Sequence, residues 1–138
     1  MYTSEIMKDP ILLNQLWKEV EAGRVAASQS GSLTIFKYTQ ETHIRDLWND
    51  VNRKARGIIF DVNGRVVARP FDKFFNLNER SESSVEQLPW KEEVEVYEKV
   101  DGSCGIGYLK HVDGDIMARS TLRWHLATPG SMESEQAL

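Results

Sequence analysis

The chain has 138 residues, a formal net charge of −4, 41% apolar residues and 28% charged residues. This composition fits one ordinary globular domain, and a net negative charge argues against a protein that coats nucleic acid electrostatically. No apolar run approaches the roughly 18 residues that a membrane span needs. The N-terminus has no apolar signal core, and the single Cys104 excludes an internal disulfide framework. We therefore expect a cytoplasmic protein with no membrane partner.

The first 54 residues are predicted to form an N-terminal helical region that also contains a strand. Apolar residues at helical spacing predict a helix over 5–22, with Asp9 as its N-cap and Pro10 in its first turn. Gly23 is expected to end this helix. Three further elements are predicted in this part of the chain: a polar turn over 28–32, a strand over 32–38 and a short helix near 41–52.

The sequence changes character at residue 55. RGIIFD (56–61) and RVVAR (65–69) flank Asn63-Gly64, a pair that predicts a tight hairpin turn. A loop rich in aromatic residues follows over 71–79. Three more strands are predicted, over 94–99, 103–109 and 115–121, separated by Asp-Gly turns at 101–102 and 113–114. The predicted fold class is α+β, an N-terminal helical region followed by antiparallel β-hairpins.

Lys99 is the first candidate for chemistry. It is predicted to end a strand just before Asp101-Gly102, and a strand end fixes a side chain better than a loop does. A lysine amine acts as a nucleophile where burial or neighbouring positive charge keeps it uncharged, and Gly102 would let a ligand approach the backbone. The alternative is a surface lysine before an ordinary hairpin turn. Cys104 is expected to be a small buried residue rather than a nucleophile.

The second candidate is the segment ARPFDKFFN (68–76) together with the hairpin before it. Cations at Arg56, Arg69 and Lys73 suit phosphate oxygens, and the aromatic faces of Phe74 and Phe75 suit a purine ring. The alternative is that the phenylalanines cap the core while the cations are solvated.

Taken together, RGIIFD, ARPFDKFFN and EKVDGS, all within residues 56–103, resemble the adenylyltransferase domain of the phage-type RNA ligase 1 family. That family belongs to the covalent nucleotidyltransferases, with DNA ligases and mRNA capping enzymes. The resemblance covers about 35–138. It implies a nucleotidyltransferase (ATP-grasp-like) domain, truncated here. We expect a single partial adenylyltransferase domain over 1–138, with a helical and strand part at 1–54 and nucleotide-binding hairpins at 55–138.

The resemblance also implies ATP-dependent RNA ligation in RNA repair. Lys99 would attack the α-phosphate of ATP to form lysyl-AMP, AMP would pass to an RNA 5′-phosphate, and a 3′-hydroxyl would seal the strand. ATP and Mg²⁺ are the implied cofactors, and RNA ends are the implied partners. Lys99 is the implied catalytic residue. The implied nucleotide-binding residues are Arg56, Lys73, Phe75, Glu98 and Gly102.

Two features depart from the family pattern. Pro129 stands where family members carry a basic residue, which leaves Arg119 or Arg123 as replacements. The family's later Glu-Gly and Lys-x-Lys motifs are absent, so we expect a fragment, a truncated reading frame or one piece of a split enzyme. Such a chain would seal little or no RNA alone.

The three histidines have no zinc-like spacing to Cys104, and no residue is assigned as a metal ligand. Two alternative functions stay open. One is a different covalent nucleotidyltransferase, such as a DNA ligase or a capping enzyme. The other is a non-catalytic remnant that binds a nucleotide or RNA.

Overall fold

A computed structural model describes residues 8–112 and 121–129 of the chain. Its main elements are α1 (Pro10–Glu21), β1 (Val25–Ser30), β2 (Leu33–Tyr38), α2 (Gln40–Ile44), β3 (Arg56–Asp61), β4 (Val66–Ala68), β5 (Ile106–Val112) and β6 (Thr121–Ala127). Short 3-10 helices lie at Asn52–Lys54, Ser81–Ser83 and Val85–Gln87. The α+β class with antiparallel strands is confirmed.

Helix α1 begins as its sequence predicts. The Asp9 carboxylate accepts a hydrogen bond from the Leu12 amide at 2.9 Å, and Pro10 occupies the first turn, where its missing N–H costs nothing. Gly23, with a φ of +75°, follows the end of the helix. The helix is shorter than predicted, because Lys8 pairs with Arg65 in a β-bridge. Residues 5–7 of the predicted helix lie outside the described residues.

Strands β1 to β4 form one antiparallel sheet in sequence order. The polar turn predicted over 28–32 is wrong for residues 28–30, which continue β1 and pair with β2, as Ser28 does with Ile35. Backbone hydrogen bonds hold this edge strand, so it tolerates polar side chains, and the turn is confined to residues 31–32. The helix predicted near 41–52 is also shorter, ending at Ile44 before Asp46, which has a φ of +56°.

The main sheet lies between two apolar clusters. Helix α1 covers one face, where Leu12, Leu16 and Phe36 pack with Ile58 and Phe60. Strands β5 and β6 pair with each other and cover the other face through Ile106, Tyr108 and Ala127, which join a cluster that includes Ile59. Strand β3 is therefore buried on both faces, as its continuous apolar sequence predicts.

Gly57 forms a β-bulge at the start of β3. Its neighbours Arg56 and Ile58 pair with consecutive residues of β2, so Gly57 is the extra residue, and its φ is +98°. A Cβ at this position would lie 2.4 Å from the Ile106 Cδ1 atom and 3.4 Å from the Pro129 Cα atom. Only glycine therefore allows β5 and the end of β6 to approach the sheet here.

The predictions for the second half of the chain are confirmed only in part. The strand predicted over 94–99 is wrong, since residues 93–100 have no regular secondary structure and are all exposed. Alternating apolar residues form a strand only with a partner, and no described strand pairs with this segment. The strand predicted from residue 103 begins at Ile106. The strand predicted over 115–121 and the turn at 113–114 fall almost wholly outside the described residues, which resume at Thr121 in β6.

Candidate active site

A cleft lies between the loop that follows β4 and the segment that enters β5. It has a volume of about 590 Å³, within the range of small-molecule sites. Arg56, at the start of β3, borders it, and the remaining lining residues are Arg69, Pro70, Phe71, Asp72, Cys104, Gly105, Ile106 and Gly107. We call this space the main cleft.

The polar and aromatic groups of the main cleft suit a phosphorylated ring compound. Phe71 is 82% exposed, so its ring is free to stack on a ligand. The Arg56 guanidinium carbon lies 4.8 Å from the centre of the Phe74 ring, and Arg56 forms no ion pair with a described carboxylate. Arg69 pairs with Asp72 at 3.6 Å, a long contact between half-exposed groups. Both guanidinium groups are therefore available to an anion.

Phe75 lies in a second environment, where cations surround its ring. Arg53, Lys73 and Arg80 place their charged groups 5.0, 4.8 and 4.4 Å from the ring centre, and Trp48 meets it edge to face at 5.9 Å. A base could not stack on Phe75 without displacing at least one of these groups. The structure thus favours Phe75 as the residue that organises the cations.

Two of the three cations around Phe75 have acidic partners. Arg53 pairs with Glu82 at 2.7 Å, and Arg80 binds both carboxylate oxygens of Asp46. Their hydrogen bonds lower the pKa of Asp46 and raise the pKa of Arg80. Lys73 differs, since it forms no ion pair with a described carboxylate, and its amide donates to the Arg53 carbonyl at 2.7 Å. Lys73 is thus the unpaired charge of this cluster.

A buried polar network fixes the segment that carries Arg53. The Asn52 side chain, fully buried, donates to Glu19 on α1 at 3.2 Å and to the Leu47 carbonyl at 2.8 Å. Glu19 also accepts two hydrogen bonds from Arg24, at 2.6 and 2.8 Å. The Arg24 hydrogen bond is the main cause that holds the pKa of Glu19 below its usual value, against the opposing effect of burial.

The structure does not bring Lys99 to the main cleft. Lys99 and Glu98 are exposed in the irregular segment, so the predicted anchoring at a strand end is wrong. Gly102 has a φ of +156°, which L side chains rarely adopt, and a Cβ at this position would meet nothing within 4 Å. Glycine at 102 therefore serves the backbone conformation rather than close packing. In this part of the chain, Cys104 is the first residue that lines the main cleft.

Sequence reasoning missed three features of this region. Cys104 is exposed in the cleft wall, so its predicted burial is wrong; the strand that would have buried it begins two residues later. Phe71 and Asp72 also line the cleft, and the sequence signal that could have found them is an aromatic residue directly after Pro70 in a loop. Of the two predicted replacements for a cation at Pro129, Arg123 lies in β6 and Arg119 lies outside the described residues, as does the stretch from Gly130.

The described residues also bear on cofactors and membranes. Within residues 8–112 and 121–129, no three histidine, cysteine or acidic residues are grouped as metal ligands. The main cleft offers one carboxylate, Asp72, which pairs with Arg69. None of the described helices has the length and apolar character that a membrane crossing requires.

Comparison with known proteins identifies the family. A family model described as RNA ligase matches residues 54–136, more than half of the chain. The chain belongs to the RNA ligase family, which confirms the resemblance seen in its motifs. It is 48% identical over 54 residues to a protein of Thermovibrio ammonificans named "Putative RNA ligase". That match covers 38% of this chain and 14% of the relative, so the chain spans a small part of that protein. No solved structure matches the chain.

Proposed function

We propose that this chain is the nucleotide-binding part of an ATP-dependent RNA ligase, and that residues 1–138 form part of one nucleotidyltransferase domain. The main cleft is the observation that carries the proposal. It is ligand-sized, it has Arg56 and an exposed Phe71 in its wall, and it lies in the segment that matches the RNA ligase family.

In this proposal, the cations of the hairpin hold the triphosphate. Arg56 and Arg69 bind phosphate oxygens from within the cleft, where a guanidinium fork matches a phosphate better than an ammonium does. Phe71 stacks on the base. Lys73 supplies a further positive charge, held by Phe75. The backbone of Glu98 meets the adenine once the segment that carries Lys99 moves to the cleft. Mg²⁺, when bound, would neutralise phosphate charge. Asp72 is the carboxylate in the cleft wall, and carboxylate oxygens are the ligands that Mg²⁺ prefers.

The proposed chemistry transfers an adenylyl group through Lys99. Its uncharged amine attacks the α-phosphorus of ATP, an N–P bond forms as the nitrogen loses one proton to solvent, and pyrophosphate leaves with the electrons of the broken P–O bond. An RNA 5′-phosphate oxygen then attacks the same phosphorus, and the N–P bond breaks to release Lys99. Finally, the 3′-hydroxyl of a second RNA end attacks the activated 5′-phosphorus, and AMP leaves.

The position of Lys99 sets a requirement on this mechanism. Four residues lie between Lys99 and Cys104, so five Cα–Cα steps join them, which corresponds to at most about 18 Å of extended chain. The exposed segment is therefore long enough for Lys99 to reach a nucleotide in the cleft. Gly102 would provide the backbone freedom for that approach. ATP binding would have to provide the energy for the rearrangement.

The decisive test is self-labelling of the chain. After incubation with Mg²⁺ and ATP labelled at the α-phosphate, we expect a covalent adduct of about 329 Da on Lys99. Lys99→Ala should abolish it, and Lys91→Ala, at an exposed lysine eight residues earlier in the chain, should not. An adduct that persists in Lys99→Ala refutes the nucleophile. Labelling by GTP instead of ATP would indicate a capping-type enzyme.

A second candidate is a module that binds a nucleotide or RNA without turnover. The exposure of Lys99, away from the main cleft, favours it. Equilibrium dialysis of ATP, combined with the labelling assay, separates the two functions. The binding module would bind ATP in dialysis and yield no covalent adduct under the same conditions.

A further inference from the structure

A second cleft lies between the first half of α1 and the segment that precedes β3. Its volume is about 330 Å³, at the lower end of the range for small-molecule sites. Apolar side chains of α1 form part of its wall, and its polar groups come from Asp9, Gln15, Asp50, Lys54 and Arg69. We call this space the second cleft.

Arg69 lines both clefts. It follows β4 directly, its side chain is 46% exposed, and its ion pair with Asp72 is long at 3.6 Å. A guanidinium so weakly held remains able to donate to other acceptors. Ligands in the two clefts would therefore lie on either side of one guanidinium group.

The charges of the second cleft identify what it could hold. Two carboxylates, Asp9 and Asp50, balance two cations, Lys54 and Arg69. A terminal phosphate dianion would meet two like charges in such a site. A sugar with free hydroxyl groups and a single phosphodiester charge matches it better, because carboxylates accept hydrogen bonds from hydroxyls and cations bind the phosphodiester.

The individual side chains agree with this division. The Asp9 carboxylate already accepts the Leu12 amide, whereas the Asp50 carboxylate has no described hydrogen-bond donor. The Lys54 ammonium donates to the Asp50 carbonyl at 2.5 Å, so the free carboxylate and the cation come from neighbouring parts of one turn. The Asp50 carboxylate is thus able to accept hydrogen bonds from a ligand, with the Lys54 ammonium near the same turn.

We propose that the second cleft binds the 3′-hydroxyl end of an RNA strand. Asp50 accepts hydrogen bonds from the terminal 2′- and 3′-hydroxyls, and Lys54 and Arg69 bind the phosphodiester that precedes them. This inference rests on the proposed function, and it places the acceptor RNA end beside the nucleotide, with Arg69 between the two.

Binding of short fluorescent RNAs to the purified chain, measured by anisotropy, tests this assignment. All the RNAs carry a 5′-hydroxyl and differ only at the 3′ end. We expect a 3′-phosphate to weaken binding at least about threefold relative to the 2′,3′-diol, because it adds negative charge beside Asp50. Asp50→Asn should narrow this ratio. Lys54→Gln should weaken binding of both RNAs about tenfold, and Lys91→Gln, exposed elsewhere, should leave both unchanged.

Several outcomes would overturn the assignment. These are no RNA binding, equal affinity for the two 3′ ends, or an unchanged ratio in an Asp50→Asn protein whose unfolding midpoint matches the wild type. A further RNA with a 5′-phosphate and a 2′,3′-diol tests the other RNA end: if its 5′-phosphate strengthens binding to the wild type and this gain disappears in Lys54→Gln, the cleft takes the 5′ end instead. Self-labelling by ATP is measured on the same preparations. If the chain labels itself but shows none of the expected RNA binding, the assignment of the second cleft fails while the proposed function stands.

Discussion

The guanidinium carbon of Arg80 lies 4.4 Å from the centre of the Phe75 ring while the same group binds the Asp46 carboxylate. Asp46 belongs to the turn after α2, and Phe75 belongs to the loop after β4. One arginine therefore joins two loops that are distant in sequence. Arg53, paired with Glu82, makes a similar connection on the same ring. The result is a fixed loop from which Lys73 presents an unpaired charge.

Replacement of Phe75 by leucine tests this arrangement. Leucine keeps apolar bulk but lacks the aromatic quadrupole that attracts the cations, so we expect a loss of about 1–2 kcal/mol in the free energy of unfolding. Urea denaturation measures it. Phe74→Leu is the matched control, because Phe74 is more exposed and meets only Arg56 among the described cations; it should cost about 0.5 kcal/mol. Equal losses for the two variants would contradict the role given to Phe75.

The buried Glu19 gives the fold a defined acid sensitivity. Its pKa is lowered in the folded state, mainly by the Arg24 hydrogen bond, so its stabilising contribution is complete above the unfolded value of about 4.5. That contribution is lost as the pH falls below this value toward the folded pKa. Urea midpoints measured from pH 7 to pH 3 should therefore drop steeply below about pH 4.5.

Glu19→Gln is the variant for that experiment. It should cost about 1–3 kcal/mol at pH 7, because a charged acceptor of Arg24 is lost, and should flatten the acid limb of the profile. Asp46→Asn serves as the comparison, since the pKa of Asp46 is also lowered but the group is exposed. An acid limb that flattens in Asp46→Asn and persists in Glu19→Gln would show that the network around Asn52 is not the sensitive element.

Gly57→Ala should destabilise the packing of the two sheets. The new Cβ would meet the Ile106 Cδ1 atom at 2.4 Å in a backbone conformation unfavourable for alanine, so we expect a cost of about 2–4 kcal/mol. Ile106→Val removes the contacting atom. The double variant should therefore lose about 0.5–1 kcal/mol less than the sum of the two single losses, as measured by urea denaturation. If the losses of the two single variants simply add in the double variant, the cost of Gly57→Ala comes from the backbone conformation and not from contact with Ile106.

The elements that were predicted well are those whose signals are local. The Asp9 cap, Pro10 in the first turn and the strand over 56–61 depend on a few neighbouring residues, and all three are present. The strand over 94–99 needed a partner from elsewhere, which alternation of apolar residues cannot identify. The polar turn predicted over 28–32 was wrong for the opposite reason: residues 28–30 pair with β2, and this pairing overrides their polar composition.

The candidate site shows the same division. Arg56 and Lys73 were selected from sequence, and the structure leaves both without a described acidic partner. The surroundings of Phe75 could not be anticipated, because Arg53 and Arg80 reach it from separate segments and polar pairing directs them there. The resemblance to the family implies that Lys99 is a nucleophile, and this role stays a proposal. Its exposure in the structure depends on tertiary contacts that a motif does not encode.

Arg56→Gln tests the main cleft directly. Loss of a charged donor to phosphate should lower the affinity for ATP at least about tenfold, and Arg56→Lys should recover part of it because the charge remains without the fork. Equilibrium dialysis measures the dissociation constants. Arg45→Gln is the control, an exposed arginine paired with Glu41 on α2. If Arg56→Gln and Arg45→Gln bind ATP equally well, the main cleft is not the nucleotide site.

Cys104 provides an independent probe of the same cleft. It is the only cysteine in the sequence, and it is exposed in the cleft wall, so alkylation by a maleimide reports on this position alone. Saturating ATP should slow the reaction severalfold by occupying the space beside the thiol. Arg56→Gln should shift this protection to higher ATP concentrations by the same factor as its dissociation constant. Inorganic sulfate at equal ionic strength controls for salt. An unchanged alkylation rate while dialysis shows bound ATP would place the nucleotide elsewhere on the molecule.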